Sequence, residues 1–149
     1  MASKKNIDFL KERLQDSIAN HDPKGIAVNS TNLGNASFKI GQYEKAINYY
    51  GKALEIRAKL DDRKEIANSN GHLGNVYLKL GNFAEAIKCY KTSLEITTSI
   101  AYSSGIASTN GNLGNAYLSL GDYQKAIEYY KTGLQISTEI GDRSGIASN

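Results

Sequence analysis

Residues 73–90 read LGNVYLKLGNFAEAIKCY, and the same pattern returns at residues 113–130 as LGNAYLSLGDYQKAIEYY. An earlier copy, LGNASFKIGQYEKAINYY, occupies residues 33–50, so the pattern recurs every 40 residues. When residues 65–104 are aligned with residues 105–144 without a gap, 21 of the 40 positions are identical. A fixed period of this length is typical of repeat proteins, in which each unit buries its apolar face against its neighbours. Such arrays present long surfaces, so the period favours a binding or structural role over an enzyme.

The apolar pattern within each unit predicts two helices. Ile26, Leu33 and Ile40 stand seven residues apart and form the apolar stripe of a first helix, called helix A. Gly41 ends this helix, and the stripe of a second helix, called helix B, begins two residues later at Tyr43. The pattern therefore predicts helix A at 25–40, 65–80 and 105–120, and helix B at 43–60, 83–100 and 123–140.

The period also predicts how the chain is divided. The complete units are residues 25–64, 65–104 and 105–144. Residues 6–20 align with helix B at a shift of 40 residues. This predicts a capping half-repeat over residues 1–24, with Pro23 in the loop that follows its helix. A loop is predicted at 141–144, after which residues 145–149 begin a fourth, truncated unit.

Small residues recur at the same register of both helices. They are Gly34, Gly74 and Gly114 on helix A, and Ala46, Ala86 and Ala126 on helix B. A glycine in the middle of a helix costs about 1 kcal/mol relative to alanine, so three at one register indicate a packing role. We expect each glycine to face the alanine of its own unit, which lets the two backbones approach closely.

The composition excludes several classes of protein and site. The net charge is only +3 without a long run of one sign, so no nucleic-acid partner is expected. The lone Cys89 cannot form an internal disulfide. The first residues show neither a signal peptide nor a membrane span, so we expect a cytoplasmic protein without a membrane partner. His21 and His72 form no recurring pattern with carboxylates, so we predict no catalytic residue, no metal site and no cofactor.

The recurring residues resemble a known family. Leu-Gly-x2-Tyr, followed by Gly-x-Tyr/Phe-x2-Ala-x3-Tyr-x2-Ala/Ser/Gly-Leu, is similar to the tetratricopeptide repeat over residues 25–144. The resemblance implies an all-α, right-handed solenoid of three tandem helix-turn-helix repeats behind the N-terminal capping helix. Ala58, Thr98 and Thr138 replace the family's closing proline, which lets helix B run on and lengthens the usual period of about 34 residues. This long form, with its Leu-Gly-Asn and Gly-Asp-Arg segments, is similar to the repeats of Pins-type polarity adaptors.

The face of helix A that turns away from helix B carries few charges. Between residues 26 and 40 only Lys39 is charged, between 66 and 80 only Lys79, and between 106 and 120 none. Asparagine and glycine are poor helix formers, so this face departs from an ordinary solvated one. In the resembling family, helix A lines the concave groove that binds a peptide. The resemblance implies these candidate groove residues: Asn32, Asn35, Lys39, Asn68, His72, Asn75, Lys79, Asn112 and Asn115.

Two interpretations of the recurring asparagines are open at this point. An amide both donates and accepts, so Asn35, Asn75 and Asn115 could pair with the backbone of a partner. Alternatively, they bond to one another or to neighbouring helices. The family's carboxylate clamp needs basic residues along helix A, and Lys39 and Lys79 near its end are too few, so we expect no clamp.

Two functional hypotheses follow. The first is a protein–protein interaction module that binds a peptide segment of its partner in the uncharged, Asn-rich groove. The alternative is a structural spacer, or a self-associating or engineered repeat scaffold, without a dedicated ligand. The apolar stripe of the last helix B, formed by Tyr123, Ile127, Tyr130 and Leu134, is left without a complete next unit. It therefore predicts self-association through the uncapped C-terminal end.

Overall fold

The computed structural model describes the backbone of residues 2–147 and the side chains of residues 5–141. The described residues form seven α-helices and no strand, which confirms the predicted all-α class. The helices are α1 (Ala2–Ala19), α2 (Pro23–Lys39), α3 (Tyr43–Lys59), α4 (Arg63–Lys79), α5 (Phe83–Ser99), α6 (Ser103–Leu120) and α7 (Tyr123–Ala147). Helices α2, α4 and α6 are helix A of successive units, and α3, α5 and α7 are helix B.

Each helix A begins two residues earlier than predicted, because its N-terminal cap precedes the apolar stripe. Asp22 is the N-cap of α2, and its carboxylate accepts a hydrogen bond from the Gly25 amide at 3.0 Å. Pro23 is consequently the first residue of α2 and does not lie in a loop as predicted. A proline is tolerated there since the amide hydrogen that it lacks has no partner within the helix. Asp62 caps α4 in the same way, whereas Tyr102 precedes α6 without a side-chain cap.

Two kinds of tight turn connect the helices, and each contains one residue in the left-handed conformation. Between helix A and helix B of the first unit it is Gly41, with φ of 75°, which glycine adopts without steric cost. Between helix B and the next helix A it is Asp61 or Ala101, each with φ of 52°. For such residues this conformation costs about 1–2 kcal/mol. The packing of the helix that follows the turn must offset this cost.

Successive helices pack against each other, and the core lies between them. Tyr50 on α3 is buried together with Leu73 and Val76 on α4. Helix α4 also contacts α6. The A helices α2, α4 and α6, called the helix A row, therefore form the inner side of the array. Ile40, the last residue of the predicted helix A stripe, is 40% exposed because it lies beyond the end of α2. The arrangement is the predicted helical solenoid.

The mid-helix glycines pack against tyrosine rings of helix B. A Cβ atom on Gly74 would lie 2.5 Å from Cε1 of Tyr90 on α5. The same arrangement pairs Gly34 with Tyr50 and Gly114 with Tyr130. The tyrosine stands one turn beyond the alanine, four residues after Ala86 in the second unit, and its side chain leans back toward helix A. The close approach of each glycine to its alanine stays a prediction.

Helix α7 runs without interruption from Tyr123 to Ala147. It passes through 141–144, where the sequence predicts a loop, and no separate helix begins at residue 145 within the described part of the chain. The earlier turns of this kind contain a left-handed residue whose cost is offset by a whole following helix. In α7, residues 141–147 are helical instead. Continuing α7 avoids the turn, and residues 148–149 lie outside the described backbone.

Candidate functional site

One hydrogen bond between helix B and helix A recurs in all three units. The hydroxyl of Tyr50 donates to Oδ1 of Asn35 at 2.7 Å. The same bond joins Tyr90 to Asn75 and Tyr130 to Asn115, at 2.6 Å in both cases. In each unit the asparagine follows the glycine on which the tyrosine ring packs. The Gly-Asn dipeptide therefore receives both the ring and the hydroxyl of one tyrosine.

Burial further favours the protonated, donating form of the Tyr50 and Tyr90 hydroxyls. It raises the pKa of Tyr50 to about 12, and it also raises the pKa of Tyr90 above the ordinary value of 10.0. Both phenols stay protonated near neutral pH and donate to the amide oxygen. An amide carries its oxygen and its NH2 group on opposite sides, so an asparagine held by its oxygen turns its two N–H donors away.

The bond agrees with the second interpretation of Asn35, Asn75 and Asn115, in which these asparagines bond to neighbouring helices. It occupies only Oδ1, however. Among the described residues, no acceptor takes a hydrogen bond from Nδ2 of these three side chains. Three amide donors of fixed direction are thus available on the helix A row, at one register of the repeat.

The remaining predicted groove residues lie in different environments. His72 is half-buried and stacks on the ring of Tyr50, with 5.1 Å between the ring centroids. Burial, and to a lesser extent the nearby charge of Arg57, lowers the pKa of His72 below its ordinary value of 6.5, so the ring is neutral at pH 7. Nδ2 of Asn68 donates to Oε1 of Glu65 at 2.9 Å. The side chains of Asn32, Lys39 and Lys79 are exposed.

A pocket of about 370 Å³ lies between α4, α5 and α6. It brings together four of the predicted groove residues, Asn68, His72, Asn75 and Asn112. The other five do not line it: Asn32, Asn35, Lys39, Lys79 and Asn115. No lysine, arginine, aspartate or glutamate lines the pocket. With His72 neutral, its wall carries no charge at pH 7.

Sequence reasoning missed two features of this region. The first is the bond between tyrosine and asparagine, although the spacing of 15 residues between them is the same in every unit. The second feature is Arg57, whose side chain is only 5% exposed. Its Nη2 lies 3.0 Å from Oε2 of Glu65, and its Nη1 donates to Oγ of Ser69 at 2.7 Å. The alignment of the units shows that Arg57 and Glu65 depart from the repeat, but it does not show that the two side chains form an ion pair.

The part of the chain that the structure describes contains no group of three or more histidine, cysteine, aspartate or glutamate side chains placed to hold a metal ion. None of its helices combines the length and the apolar character that crossing a bilayer requires. Cys89 is half-buried, and burial chiefly raises the pKa of its thiol.

Comparison with solved structures shows the same fold. BtubC (BKLC) from P. vanneervenii matches with a TM-score of 0.85 at 24% identity, over 94% of this chain and 58% of that chain. The TPR domain of Arabidopsis FLU matches with a TM-score of 0.72 at 27% identity, over 76% and 95% of the two chains. A putative kinesin light chain from Podospora anserina gives 0.77 at 17% identity, over 92% and 68%. The chain thus spans just over half the length of BtubC.

Sequence comparison identifies the family. No curated protein sequence matches the chain. A family model described as tetratricopeptide repeat, however, matches residues 25–99 and again residues 65–139. The two matches together cover most of the chain, including every unit with a Tyr–Asn bond. The chain belongs to the tetratricopeptide repeat family, whose members are generally non-enzymatic scaffolds for protein–protein interaction.

Proposed function

We propose that this chain is a protein-interaction module that binds a peptide segment of its partner in the uncharged, Asn-rich groove along the helix A row. The Tyr–Asn hydrogen bond carries this proposal, because it holds the amide by its oxygen and leaves Nδ2 without an acceptor among the described residues, at the same register in three units. Membership of the tetratricopeptide repeat family supports the general role in protein recognition.

The amide donors suit the main chain of an extended partner segment. An N–H group donates to a main-chain carbonyl whatever side chain the partner carries at that position. Because the tyrosine already holds the amide in place, less side-chain freedom is lost on binding than for a freely rotating asparagine. Lys39 and Lys79 are the only charged residues predicted for the groove, and both lie at helix ends. We infer that net charge does not select the partner.

We further propose that the chain comprises three 40-residue units behind a half-repeat cap, in the long form similar to Pins-type adaptors. The helix starts support this division, since Pro23, Arg63 and Ser103 stand 40 residues apart, as do Tyr43, Phe83 and Tyr123. A cytoplasmic location is part of the same proposal. It is supported by the single cysteine, Cys89, which is compatible with a reducing compartment.

Asparagine-to-aspartate substitutions test the proposed role of the donors. In the triple variant Asn35→Asp, Asn75→Asp and Asn115→Asp, each carboxylate still accepts from its tyrosine but has no N–H group to donate. Peptides enriched on the wild-type protein from a random display library should bind this variant at least about tenfold more weakly, since each lost hydrogen bond contributes about 0.5–1.5 kcal/mol.

Asn48→Asp is the matched control for a single substitution such as Asn75→Asp, because Asn48 is exposed on α3 and both changes add one negative charge. It should leave peptide affinity unchanged. The proposed role of the groove would be contradicted if no peptide enriched on the wild type, or if the wild type and the triple variant bound the peptides with equal affinity.

The exposed face of α7 favours a second, structural role. Tyr123, Ile127 and Leu134 are 65%, 48% and 69% exposed. Their counterparts on α3, in contrast, are half-buried in the core cluster that includes residues of α4. Exposed apolar residues in one stripe mark an association site. We infer that a second copy of the chain covers this face, so that the units assemble into a longer array.

A further inference from the structure

The interfaces between successive units fill the same place with different side chains. Between α1 and α2, Nδ2 of Asn29 donates to the Arg13 carbonyl at 3.2 Å and to Oγ of Ser17 at 3.0 Å. Between α3 and α4, Arg57 reaches across to Glu65 and Ser69. Each of these interfaces thus has one long polar side chain that crosses from one helix to the next.

Between α5 and α6 the polar side chains that meet are short, with 3.3 Å between Oγ of Ser93 and Oγ1 of Thr109. Thr97 occupies the position of Arg57, and Gly105 occupies that of Glu65. The Thr97 hydroxyl donates within its own helix, to the carbonyl of Ser93 at 2.9 Å. The pocket of about 370 Å³ opens at this interface, and Thr97 and Gly105 are among the residues that line it. Its volume lies in the range of about 300–1,000 Å³ that is common for ligand pockets.

The lining of the pocket determines which side chain it can accept. Asn75, oriented by Tyr90, contributes amide donors, and Ser108 and Asn112 contribute further polar groups. A charged side chain would lose water on entering and would meet no opposite charge, which is strongly unfavourable. A neutral side chain with an amide or hydroxyl group keeps its hydrogen bonds inside the pocket.

We propose that the pocket between α4, α5 and α6 accepts one uncharged, hydrogen-bonding side chain of the bound segment: asparagine, glutamine, serine or threonine. The inference rests on the proposed function and deepens it. The Asn-rich row binds the main chain without regard to sequence, whereas this pocket selects one side chain. The segment is therefore recognised mainly at a single position.

Two glycines of the helix A row allow a matched test. A Cβ atom on Gly71, which lines the pocket, would meet no atom within 4 Å, so Gly71→Leu narrows the pocket without straining the helix. Gly111 is its counterpart on α6, equally open but outside the pocket lining. A random peptide display library is selected on the wild type, and the enriched peptides should share one of the four residues at one position.

We expect alanine at that peptide position to weaken binding to the wild type and to Gly111→Leu by about tenfold. The same change should have no effect on binding to Gly71→Leu, because that variant no longer accepts the side chain. Enriched peptides that share a charged or apolar residue, or an equal effect of alanine on Gly71→Leu and the wild type, would overturn the inference.

A second variant introduces the side chains of the α3–α4 interface at the α5–α6 interface. Thr97→Arg and Gly105→Glu introduce the ion pair, and Tyr102→Asp is needed because a Cβ atom on Gly105 would lie within contact distance of the Tyr102 ring. This triple variant should behave like Gly71→Leu if the pocket acts as proposed, and it replaces Gly71→Leu if that variant does not fold. Enriched peptides that bind the triple Asn→Asp variant more weakly, but share no residue at any position, would refute the proposed pocket and leave the proposed role of the Asn-rich row intact. If no peptide enriches, both proposals fail.

Discussion

The hydroxyl of Tyr90 donates a 2.6 Å hydrogen bond to Oδ1 of Asn75, one residue beyond the glycine on which its ring packs. One side chain thus closes the helical hairpin with its ring and orients a groove amide with its hydroxyl. The two roles are separable, since the ring can be kept while the hydroxyl is removed.

Tyr90→Phe makes that separation. The ring still packs on Gly74, but Asn75 loses a hydrogen bond, so the free energy of unfolding should fall by about 1 kcal/mol. Because the Asn75 amide is no longer held in one direction, affinity for library-selected peptides should also fall at temperatures where the variant is fully folded. Thermal unfolding followed by circular dichroism and peptide titration measure the two effects. An unchanged affinity would show that the hydroxyl does not position Asn75 for binding.

Gly74→Ala tests the packing of the tyrosine ring. The added Cβ atom would lie 2.5 Å from Cε1 of Tyr90, so we expect a loss of stability of about 1–3 kcal/mol, as for other overpacked sites. Gly71→Ala on the same helix is the control, because its Cβ atom meets nothing within 4 Å and alanine should stabilise the helix by about 0.5–1 kcal/mol. Urea titrations of both variants measure the change, and a neutral Gly74→Ala would show that the ring moves aside without cost.

His72 should make stability depend on pH. Its pKa is lowered in the folded protein from the ordinary value of 6.5, so the unfolded chain binds more protons as the pH falls through that value. The contribution of His72 is therefore fully present at higher pH and is progressively lost below about pH 6.5. His72→Asn, which copies Asn112 of the next unit, should reduce this loss in urea titrations between about pH 7.5 and pH 5.5. Identical pH profiles would contradict the assignment to His72.

The exposed face of α7 should cause the protein to associate. In sedimentation experiments we expect the apparent mass of the wild type to rise with concentration. Ile127→Lys with Leu134→Lys should remove the association and preserve helix content, since both side chains are already exposed. A chain extended by a polar capping helix provides a second control. A wild type that remains monomeric at every concentration would rule out the α7 face as a self-association site.

The repeat by itself determined the helical architecture. Apolar residues seven apart and glycines at the turns act over short stretches of chain, so they predicted every helix and most helix ends to within a few residues. The exceptions have local causes. Asp22 caps α2 ahead of its apolar stripe, and α7 continues through residues at which the earlier units have a turn with a left-handed residue. The register also placed Asn68, His72, Asn75 and Asn112 on one face, and the structure brings these four together in the pocket.

Only the tertiary structure decided what these residues contact. Whether Tyr90 reaches Asn75, and whether Arg57 meets Glu65, depends on the distance and rotation between two helices. Those quantities are set by the packing of all the side chains between the helices, so they do not follow from the spacing of two residues along the chain. The pocket depends on packing even more strongly. Its size and its lining are defined by residues of three helices, α4, α5 and α6.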